Sequence, residues 1–481
     1  MTRLVVVGAG IGGLAAAARL AQLRPDAEVT VLEAAPDVGG KLRLASVGGV
    51  CVDVGAEAML NRRPEAVELA HAAGLGTDIV HPATTSAQLW SRGVLTPMPP
   101  TLMGVPTDLR VLDPVVSASG IARAALDLVL PATDLTGRDI SVGDLVEERF
   151  GREVVDRLVE PLLGGVYAGR AREISARAAV PQVVALLDRG RAMSKAAAEV
   201  LSGPASQVPI FAGITGGIGR LPQAVVAATG VRVETGATVR DLVRRPDGSW
   251  HLLVGETRQA RLVAADAVVL ATPAPATARL LSDVAPRAAL ELARIEYASM
   301  SVVTLAFPSR DFPDVAGSGF LVPPVDQHAV KAVTFSDRKW DWVHAAGGDL
   351  VLMRCSIGRH REERALQVSD EELVELALID LAAAVGLAAR PVDTHVQRWG
   401  GALPQYAVGH LDRVAAIRSE VARIPGLAVC GAAYDGLGIP ACIASAHLAA
   451  ALLTAETSQP GTPDRPTRRQ VGQQGLSEWV P

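Results

Sequence analysis

The stretch that decides the fold lies near the start of the chain, where residues 3–33 read RLVVVGAGIGGLAAAARLAQLRPDAEVTVLE. Residues 3–7 form a short run of branched apolar side chains, which is typical of a buried parallel strand. The alanine-rich run 14–23 ends before Pro25 and predicts a helix. Residues 29–32 then supply a second apolar strand. Strand, helix and strand in this order predict a βαβ unit.

The turn between the first strand and the helix has the pattern G-x-G-x-x-G. Its residues are Gly8, Ala9, Gly10, Ile11, Gly12 and Gly13. Gly8 permits a tight turn, Gly10 lets the backbone approach a pyrophosphate at the helix N-terminus, and Gly13 lets helix and strand pack closely. Glu33 ends the second strand and can accept hydrogen bonds from both ribose hydroxyls. These features predict a dinucleotide site; the alternative is a glycine-rich turn with a solvated Glu33.

Later apolar segments extend this unit into a doubly wound sheet. They are residues 231–234, 267–271 and 427–430, each short and bounded by turn residues. The predicted fold class is α/β, with a Rossmann-like domain built from discontinuous segments. Its pieces are residues 1–75, 205–290 and 420–456.

Two insertions separate those pieces, and we expect them to form one α+β substrate domain with a helical subdomain. The first, residues 76–204, has apolar residues at helical spacing in 142–150, 154–163 and 178–201. The second, residues 291–419, has strand-like runs at 301–307, 330–335, 350–355 and 394–399 and a helix near 371–385. Residues 457–481 are polar and rich in proline and glycine, and they predict a disordered tail.

Composition narrows the classes of function. The chain has 51 acidic and 46 basic residues, a near balance that gives no indication of a nucleic-acid partner. Its four cysteines show no CxxC spacing and its nine histidines no HExxH, so no metal site is predicted and a reducing cytoplasm is expected. The apolar stretch 115–130 contains Arg123 and Asp127 and is shorter than the ~20 residues of a spanning helix. We expect at most a loose attachment to a membrane.

Motifs beyond the first turn distinguish between nucleotide cofactors. Residues 33–41 read EAAPDVGGK, and DVG follows at 53–55. The further motifs, in chain order, are PLLGGVYAG at 161–169, GGIGRLP at 216–222, RWGGALPQYAVGH at 398–410 and CGAAYDGLGIPACI at 430–443.

In this order the motifs resemble those of the bacterial coproporphyrinogen III and protoporphyrinogen oxidases of Gram-positive and actinobacterial type, in the flavin-containing amine oxidase superfamily. The resemblance spans about residues 3–450. It implies non-covalent FAD as cofactor and oxygen as electron acceptor. The implied reaction is the six-electron oxidation of coproporphyrinogen III to coproporphyrin III in haem biosynthesis, with three molecules of H₂O₂. Protoporphyrinogen IX stays open as the alternative substrate.

The resemblance also implies which residues contact FAD. Besides the glycine turn and Glu33, they are Ala34, Gly40, Lys41, Gly55, Ala56, Glu57, Ala58, Val239, Trp399, Gly438, Ile439 and Pro440. For Val239 the implied contact is backbone to adenine, and a core valine is an equal alternative. Because the flavin carries the redox chemistry, no further catalytic residue is required.

Substrate propionates call for cations at the pocket. Residues 170–195 contain six basic and two acidic side chains, and arginine forks pair well with carboxylates. The candidates for substrate binding are Arg62, Arg63, Arg170, Arg191 and Lys195, with the pocket tyrosines Tyr167 and Tyr406. The alternatives are a solvated basic helix face and core tyrosines whose hydroxyls are satisfied.

Two other functions remain open at this stage. One is an amine oxidase or carotenoid desaturase of the same fold, although an amine oxidase needs aromatic residues beside the flavin, where only Trp399 and Tyr406 fall. The other is a flavin-binding protein without turnover. The expected partners are the tetrapyrrole and, transiently, a ferrochelatase of the haem pathway. The expected location is the cytoplasm, with loose membrane association.

Overall fold

The computed structural model describes residues 1–131, 133–187, 192–202 and 208–457; Arg191 and the predicted tail from residue 458 onwards lie outside them. The strands are β1 (Arg3–Val7), β2 (Glu28–Leu32), β3 (Leu44–Val47), β4 (Val50–Asp53), β5 (Met59–Leu60), β6 (Ile79–Val80), β7 (Gln88–Ser91), β8 (Val94–Pro97), β9 (Thr101–Leu102), β10 (Val105–Pro106), β11 (Phe211–Ile214), β12 (Arg232–Glu234), β13 (Val239–Arg244), β14 (Trp250–Val254), β15 (Arg261–Ala265), β16 (Ala267–Leu270), β17 (Tyr297–Pro308), β18 (Gly319–Leu321), β19 (Val330–Phe335), β20 (Leu350–Ile357), β21 (Asp393–Pro404) and β22 (Leu427–Val429).

The α-helices are α1 (Ile11–Leu23), α2 (Pro64–Ala72), α3 (Ala118–Ala124), α4 (Val142–Phe150), α5 (Arg152–Val154), α6 (Glu160–Tyr167), α7 (Ala176–Ala179), α8 (Pro181–Val184), α9 (Met193–Leu201), α10 (Leu221–Thr229), α11 (Ala274–Leu280), α12 (Pro286–Ala293), α13 (Ser336–Lys339), α14 (Asp341–Gly347), α15 (Asp370–Val385), α16 (His410–Val421) and α17 (Ile439–Thr457). A π-helical turn, Val155–Val159, joins α5 to α6. None of the helices in the described part of the chain has the length and apolar character that crossing a bilayer demands.

A parallel sheet with the strand order β12-β2-β1-β16-β22 forms the centre of the nucleotide-binding part. Leu4 and Val6 of β1 pack on one face, in the core that α1 and α17 complete. Val5 and Val7 pack on the other face, against β13 to β15 and helices α11 and α12. Burial on both faces explains why β1 is apolar at successive positions. The predicted α/β, Rossmann-like domain from discontinuous segments is confirmed.

A larger, mostly antiparallel sheet has the strand order β21-β17-β20-β19-β18-β7-β8. Helix α15 packs on one face, where Leu373 and Leu381 share a core with Val303 and Leu305. The other face turns to the nucleotide-binding part, because Ala306 lies in a core with the strands β3 and β4. The strands predicted at 301–307, 350–355 and 394–399 are present and longer than predicted, and β19 has the predicted bounds.

The helical prediction for residues 76–204 is partly wrong. Helix α4 has the predicted bounds, and α5, the π-helical turn and α6 cover 154–163. The predicted helix at 178–201 is instead divided, because α8 begins at Pro181 and α9 begins at Met193. The hairpin β7–β8 belongs to the large sheet, where Gln88 pairs in parallel with Phe320. That partner is far away in the chain, so the local helical spacing of this insertion gave no sign of it.

Candidate active site

The glycine turn between β1 and α1 has the geometry that the sequence predicts. Gly8 has a φ of +102°, a conformation that favours glycine. A Cβ at Gly13 would lie 1.8 Å from the Gly8 carbonyl oxygen, so helix and strand approach at a distance that only glycine allows. A Cβ at Gly10 would meet no atom within 4 Å. The turn therefore combines close packing with open space where a pyrophosphate would lie.

Helix α1 directs its N-terminus at that space. Among the described residues, no side chain caps it at Gly10 and no acidic residue lies in its first turn. Its first backbone N–H groups and its dipole therefore suit an anion. Gly40 borders the same space, since a Cβ there would lie 3.4 Å from the Gly10 Cα, and the Gly39 N–H donates to the Ala9 carbonyl at 2.8 Å. The residues present fit the diphosphate of a dinucleotide.

Glu33 is half-buried and fixed by the backbone, which removes the alternative of a solvated side chain. Its Oε2 accepts a hydrogen bond from the Ala9 N–H at 2.5 Å, and its Oε1 accepts one from the Ala35 N–H at 2.8 Å. Glu33 thus ties the glycine turn to the end of β2. Each carboxylate oxygen has a second lone pair, so the ribose contact that the sequence predicts is still possible.

Lys41, Gly55 and Trp399 form a compact wall beside the turn. A Cβ at Gly55 would lie 2.0 Å from the Lys41 carbonyl oxygen and 3.1 Å from the Trp399 ring. The Trp399 indole N–H donates to the Val54 carbonyl at 3.1 Å, which fixes the ring. The Lys41 ammonium has no acidic partner within the described residues, and burial lowers its pKa. An unpaired cation at this place suits an anionic cofactor.

The Glu57 side chain forms two ion pairs, and the cofactor contact implied for this residue stays a prediction. Its carboxylate pairs with the Lys339 Nζ at 2.5 Å and the Arg354 Nη1 at 2.8 Å. Arg354 also donates to the Gly55 carbonyl at 2.6 Å. The side chain therefore joins the 55–58 turn to Lys339 and to Arg354 of the large sheet. Lys339 and Arg354 escaped the sequence analysis because they lie in the other insertion.

Asp53 explains why two of the sequence motifs occur together. Its carboxylate accepts hydrogen bonds from the backbone N–H groups of Ile218 and Gly219, both at 2.9 Å. Burial raises the pKa of Asp53 to about 7, against the opposing effect of these hydrogen bonds. The DVG motif at 53–55 therefore holds the GGIGRLP motif in place. We had assigned Asp53 no role from the sequence.

The closing motif lies directly against the opening one. A Cβ at Gly12 would lie 3.5 Å from the Gly431 Cα and 3.6 Å from the Cys442 carbonyl oxygen. Helix α17 begins at Ile439, next to Gly438 and with Pro440 in its first turn. These implied flavin contacts therefore share one region with the glycine turn. The chain ends of the nucleotide-binding part meet there.

Val239 begins β13, and its side chain is buried in the apolar core below the parallel sheet. This is the position of the core-valine alternative. The turn before it nevertheless lies at the nucleotide end, since the Gly236 N–H donates to the Ala35 carbonyl at 2.9 Å and the Ala237 N–H donates to the Glu33 carbonyl at 2.7 Å. A backbone contact of Val239 with adenine stays a prediction.

Two arginines of the basic stretch 170–195 have acidic partners within the protein, and the binding of a propionate by this stretch stays a prediction. Arg170 pairs with Glu362 at 3.1 Å, and Arg172 pairs with Asp156 at 2.9 Å and with Glu147. The balancing acids come from other segments, so the excess counted within the stretch was misleading. Lys195 is exposed on α9. No structure is described for Arg191.

Two further groups of candidates have partners inside the protein. Arg63 pairs with Glu65 at 2.5 Å, and the Arg62 Nε lies 3.5 Å from the Val208 carbonyl oxygen. Both lie near the start of α2 and are half-exposed. Their contact with a propionate stays a prediction.

Tyr406 occupies a core position. Its hydroxyl donates to the Ala432 carbonyl at 2.6 Å, and its ring stacks on His410 at 3.9 Å. The hydroxyl is therefore not free for a substrate. Tyr167 lies 5.8 Å from Tyr406 at the end of α6 and is also buried. Burial lowers the pKa of His410 to about 4, so at neutral pH its ring is uncharged and serves packing.

Comparisons with known proteins agree with this geometry. The chain is 40% identical over 454 residues, covering 92% of its length and 95% of the relative, to a coproporphyrinogen III oxidase of Mycobacterium tuberculosis. It is 31% identical to the protein of the same name in Bacillus subtilis, over 92% of this chain and 95% of the relative. The crystal structure of a proposed protoporphyrinogen oxidase from Exiguobacterium matches with a TM-score of 0.84 and 30% identity, over 95% of this chain and 99% of that one.

The family model of the flavin containing amine oxidoreductases matches residues 11–454. This range includes the whole of the large sheet, the parallel sheet except β1, and every motif from Glu33 onwards, and it begins within the glycine turn, at Ile11. FAD is the cofactor that this match and the dinucleotide geometry imply together. The chain belongs to the flavin containing amine oxidoreductase family.

Proposed function

We propose that this chain is an FAD-dependent coproporphyrinogen III oxidase that uses oxygen as its electron acceptor. The overall reaction is coproporphyrinogen III plus three O₂ to coproporphyrin III plus three H₂O₂. The observation that carries the proposal is the 40% identity, over 92% of the chain, with a mycobacterial protein of that name. Among the described residues no side chain caps helix α1 and no acid pairs with Lys41, and both observations support a bound dinucleotide.

Bound FAD supplies hydride acceptance and two-electron transfer to oxygen. The chain's own residues bind and orient it. The turn Gly8–Gly13 and the N-terminus of α1 hold the diphosphate, Glu33 holds the ribose, and Trp399 is fixed beside Gly55. The ion pairs of Glu57 hold the 55–58 turn against the large sheet.

The histidine of the RWGGALPQYAVGH motif suits packing rather than proton transfer. His410 is uncharged and stacked on Tyr406. Burial raises the pKa of the Cys442 thiol to about 11, and its Sγ lies 3.7 Å from the Leu437 carbonyl oxygen and 3.8 Å from that of Gly436. A protonated thiol is a poor nucleophile, which supports non-covalent flavin. Neither residue argues against a chain whose contribution is to bind and orient the flavin and the substrate.

Protoporphyrinogen IX is the second candidate substrate, and the likeness to the Exiguobacterium structure favours it. An amine oxidase is disfavoured, because the Tyr406 ring packs on His410 and its hydroxyl binds Ala432, so it does not form an aromatic wall with Trp399. The test supplies coproporphyrinogen III and protoporphyrinogen IX separately, prepared without oxygen, and follows porphyrin fluorescence and peroxide after air is admitted.

We expect faster oxidation of coproporphyrinogen III, near three H₂O₂ for each porphyrin, and no stimulation by NAD(P)H. A faster rate with protoporphyrinogen IX would move the assignment to that substrate. A flavin that bleaches with neither substrate would identify a binding protein without turnover. A strict requirement for a quinone or NAD(P)⁺ would refute oxygen as acceptor.

A cytoplasmic location with loose membrane association is part of the proposal. Within residues 126–130, four apolar side chains are exposed, namely Leu126, Leu128, Val129 and Leu130. Exposed apolar patches of this kind support contact with a membrane or a protein. A transient transfer of product to a ferrochelatase would use a similar surface. Co-sedimentation with lipid vesicles, for the parent and for Val129→Ser, tests the membrane contact.

A further inference from the structure

Lys331 on β19 is a buried basic residue for which the described part of the chain supplies no anionic partner. The residue is 3% exposed, and within the described residues its Nζ has one polar contact, the Met300 Sδ at 3.9 Å. A thioether is only a weak acceptor. Burial, with a smaller effect of Arg359, lowers the pKa of Lys331 to about 7. Buried charges in folded proteins are normally paired, so this ammonium is poised for a partner from outside the chain.

A β-bulge sets the direction of the Lys331 side chain. Val330 pairs with Ile357 and Ala332 pairs with Ser356, so Lys331 is the extra residue between two successive pairs. Val330, like Val333, faces the core under α15. A bulge redirects the side chain at its extra residue and is common beside active sites.

The contact with Met300 shows which face of the sheet Lys331 reaches. On β17, Val303 and Leu305 face α15, whereas Ala306 faces the nucleotide-binding part. Alternation along the strand places Met300 on the same face as Ala306. Met300 also pairs in register with Trp399, the residue fixed beside Gly55. The Lys331 ammonium therefore lies on the face of the large sheet that packs on the nucleotide-binding part, near Trp399 and Gly55.

A second buried cation lies next to Lys331. Arg359 is 6% exposed, and within the described residues its guanidinium lies 3.4 Å from the carbonyl oxygens of Val322 and His328 and 3.9 Å from the Glu362 carboxylate. Val322 in turn donates its N–H to the Lys331 carbonyl. Burial lowers the pKa of Arg359. Two neighbouring buried cations repel one another, and an anion between them would relieve both.

The carboxylates that act on Arg359 do not supply that anion. Asp380 accepts the Val330 N–H at 2.9 Å and lies 3.0 Å from the His328 Nδ1. Glu362 lies 3.9 Å from the guanidinium and is 41% exposed at its side chain. Burial raises the pKa of Glu160, which favours its neutral form.

The pair also borders the helical subdomain. The next residue, His360, donates its backbone N–H to the Ala168 carbonyl at 2.7 Å. Ala168 is the residue that follows the last residue of α6, Tyr167. Lys331 and Arg359 thus lie between the Trp399 side of the site and the PLLGGVYAG motif. Both are buried, whereas Arg170 and Lys195 are exposed and Arg62 and Arg63 are half-exposed.

We propose that Lys331 and Arg359 together bind one carboxylate of the substrate within the site. The inference rests on the proposed function, since a tetrapyrrole propionate is then the carboxylate in question. Charge-assisted N–H to oxygen contacts of this kind are the strong class of hydrogen bond. The choice between substrates with and without a propionate at this position would then depend on these two buried cations.

The test measures binding to the flavin-loaded full chain. The probes are coproporphyrin III, which has four carboxylates, and its tetramethyl ester, which has none. The variant is Lys331→Met, which keeps the length of the side chain and removes the charge. The control is Arg310→Met, which removes one charge at an exposed position after β17.

We expect Lys331→Met to weaken coproporphyrin III binding about ten- to hundredfold. Binding of the ester, the flavin content and the Arg310→Met control should match the parent. The thermal midpoint of the unliganded variant should not fall, because the substitution removes an uncompensated buried charge. Lys331→Arg should restore most of the affinity.

Unchanged affinity of Lys331→Met for coproporphyrin III would overturn the inference, and so would an equal loss for acid and ester. Arg359→Met is a second test variant, and we expect it to lose affinity for coproporphyrin III to the same extent. If the parent oxidises coproporphyrinogen III while Lys331→Met binds the porphyrin normally, only this inference fails. If the variant loses affinity but the parent oxidises neither porphyrinogen, the proposed function fails and the carboxylate site stands.

Discussion

Replacement of Glu57 by Gln tests whether the ion pairs of Glu57 hold the 55–58 turn against the large sheet. The carboxylate pairs with Lys339 and Arg354, and the three side chains are between 12% and 19% exposed. Removing one member of a buried ion pair costs about 3–5 kcal/mol, because it leaves the other charge uncompensated. The remaining exposure and the surviving amide oxygen reduce this to about 2–3 kcal/mol.

A loss of that size is measurable as a change in thermal stability. At roughly 2–4 °C per kcal/mol for a domain of this kind, the thermal midpoint of Glu57→Gln should fall by about 4–12 °C. Its flavin content should fall as well, because Arg354 also holds the Gly55 carbonyl. Glu371→Gln, at an exposed position in the first turn of α15, is the matched control and should behave like the parent.

The pH dependence of this loss has a definite sign. Burial opposes ionisation of Glu57, but Lys339 and Arg354 outweigh it and lower the pKa to about 2. A depressed carboxyl pKa stabilises the fold above the unfolded value of about 4.3, and this contribution is lost as the pH falls through the folded value. The difference between parent and variant should therefore be full at pH 7 and shrink below about pH 4. Equal midpoints and equal flavin content at pH 7 would refute the role of the pair.

Three further predictions concern the nucleotide end. Gly13→Ala places a Cβ 1.8 Å from the Gly8 carbonyl oxygen, so the purified protein should contain little flavin by absorbance. The raised pKa of Asp53, about 7, means that its ionisation destabilises the fold as the pH rises from about 4 to 7, and Asp53→Asn should remove that part of the pH dependence of the thermal midpoint. Acid precipitation should release the yellow colour; colour retained in the pellet would contradict non-covalent flavin.

The sequence predicted those parts of the fold whose signal is local. The βαβ unit follows from the apolar run at residues 3–7, the glycine turn and Glu33, and the bounds of α4 and β19 follow from side-chain spacing. The hairpin β7–β8 was missed, because its partner β18 comes late in the chain and pairing over that separation leaves no periodic trace. The division of 178–201 was missed although Pro181 marks the start of a new helix.

The two sets of basic residues show why the candidate substrate site was only partly predictable. Counting charges within 170–195 ignored the acids of other segments, and Glu147, Asp156 and Glu362 pair with Arg170 and Arg172 in three dimensions. Lys331 is the one charged residue of the strand VKAVTF, and from the sequence alone its side chain would be expected to point into solvent. Its burial depends on the bulge opposite Ile357, and a bulge is a property of paired strands rather than of one strand. A basic run can meet acids from other segments, as Arg170 and Arg172 do, so a count of charges within one segment does not by itself identify a binding site.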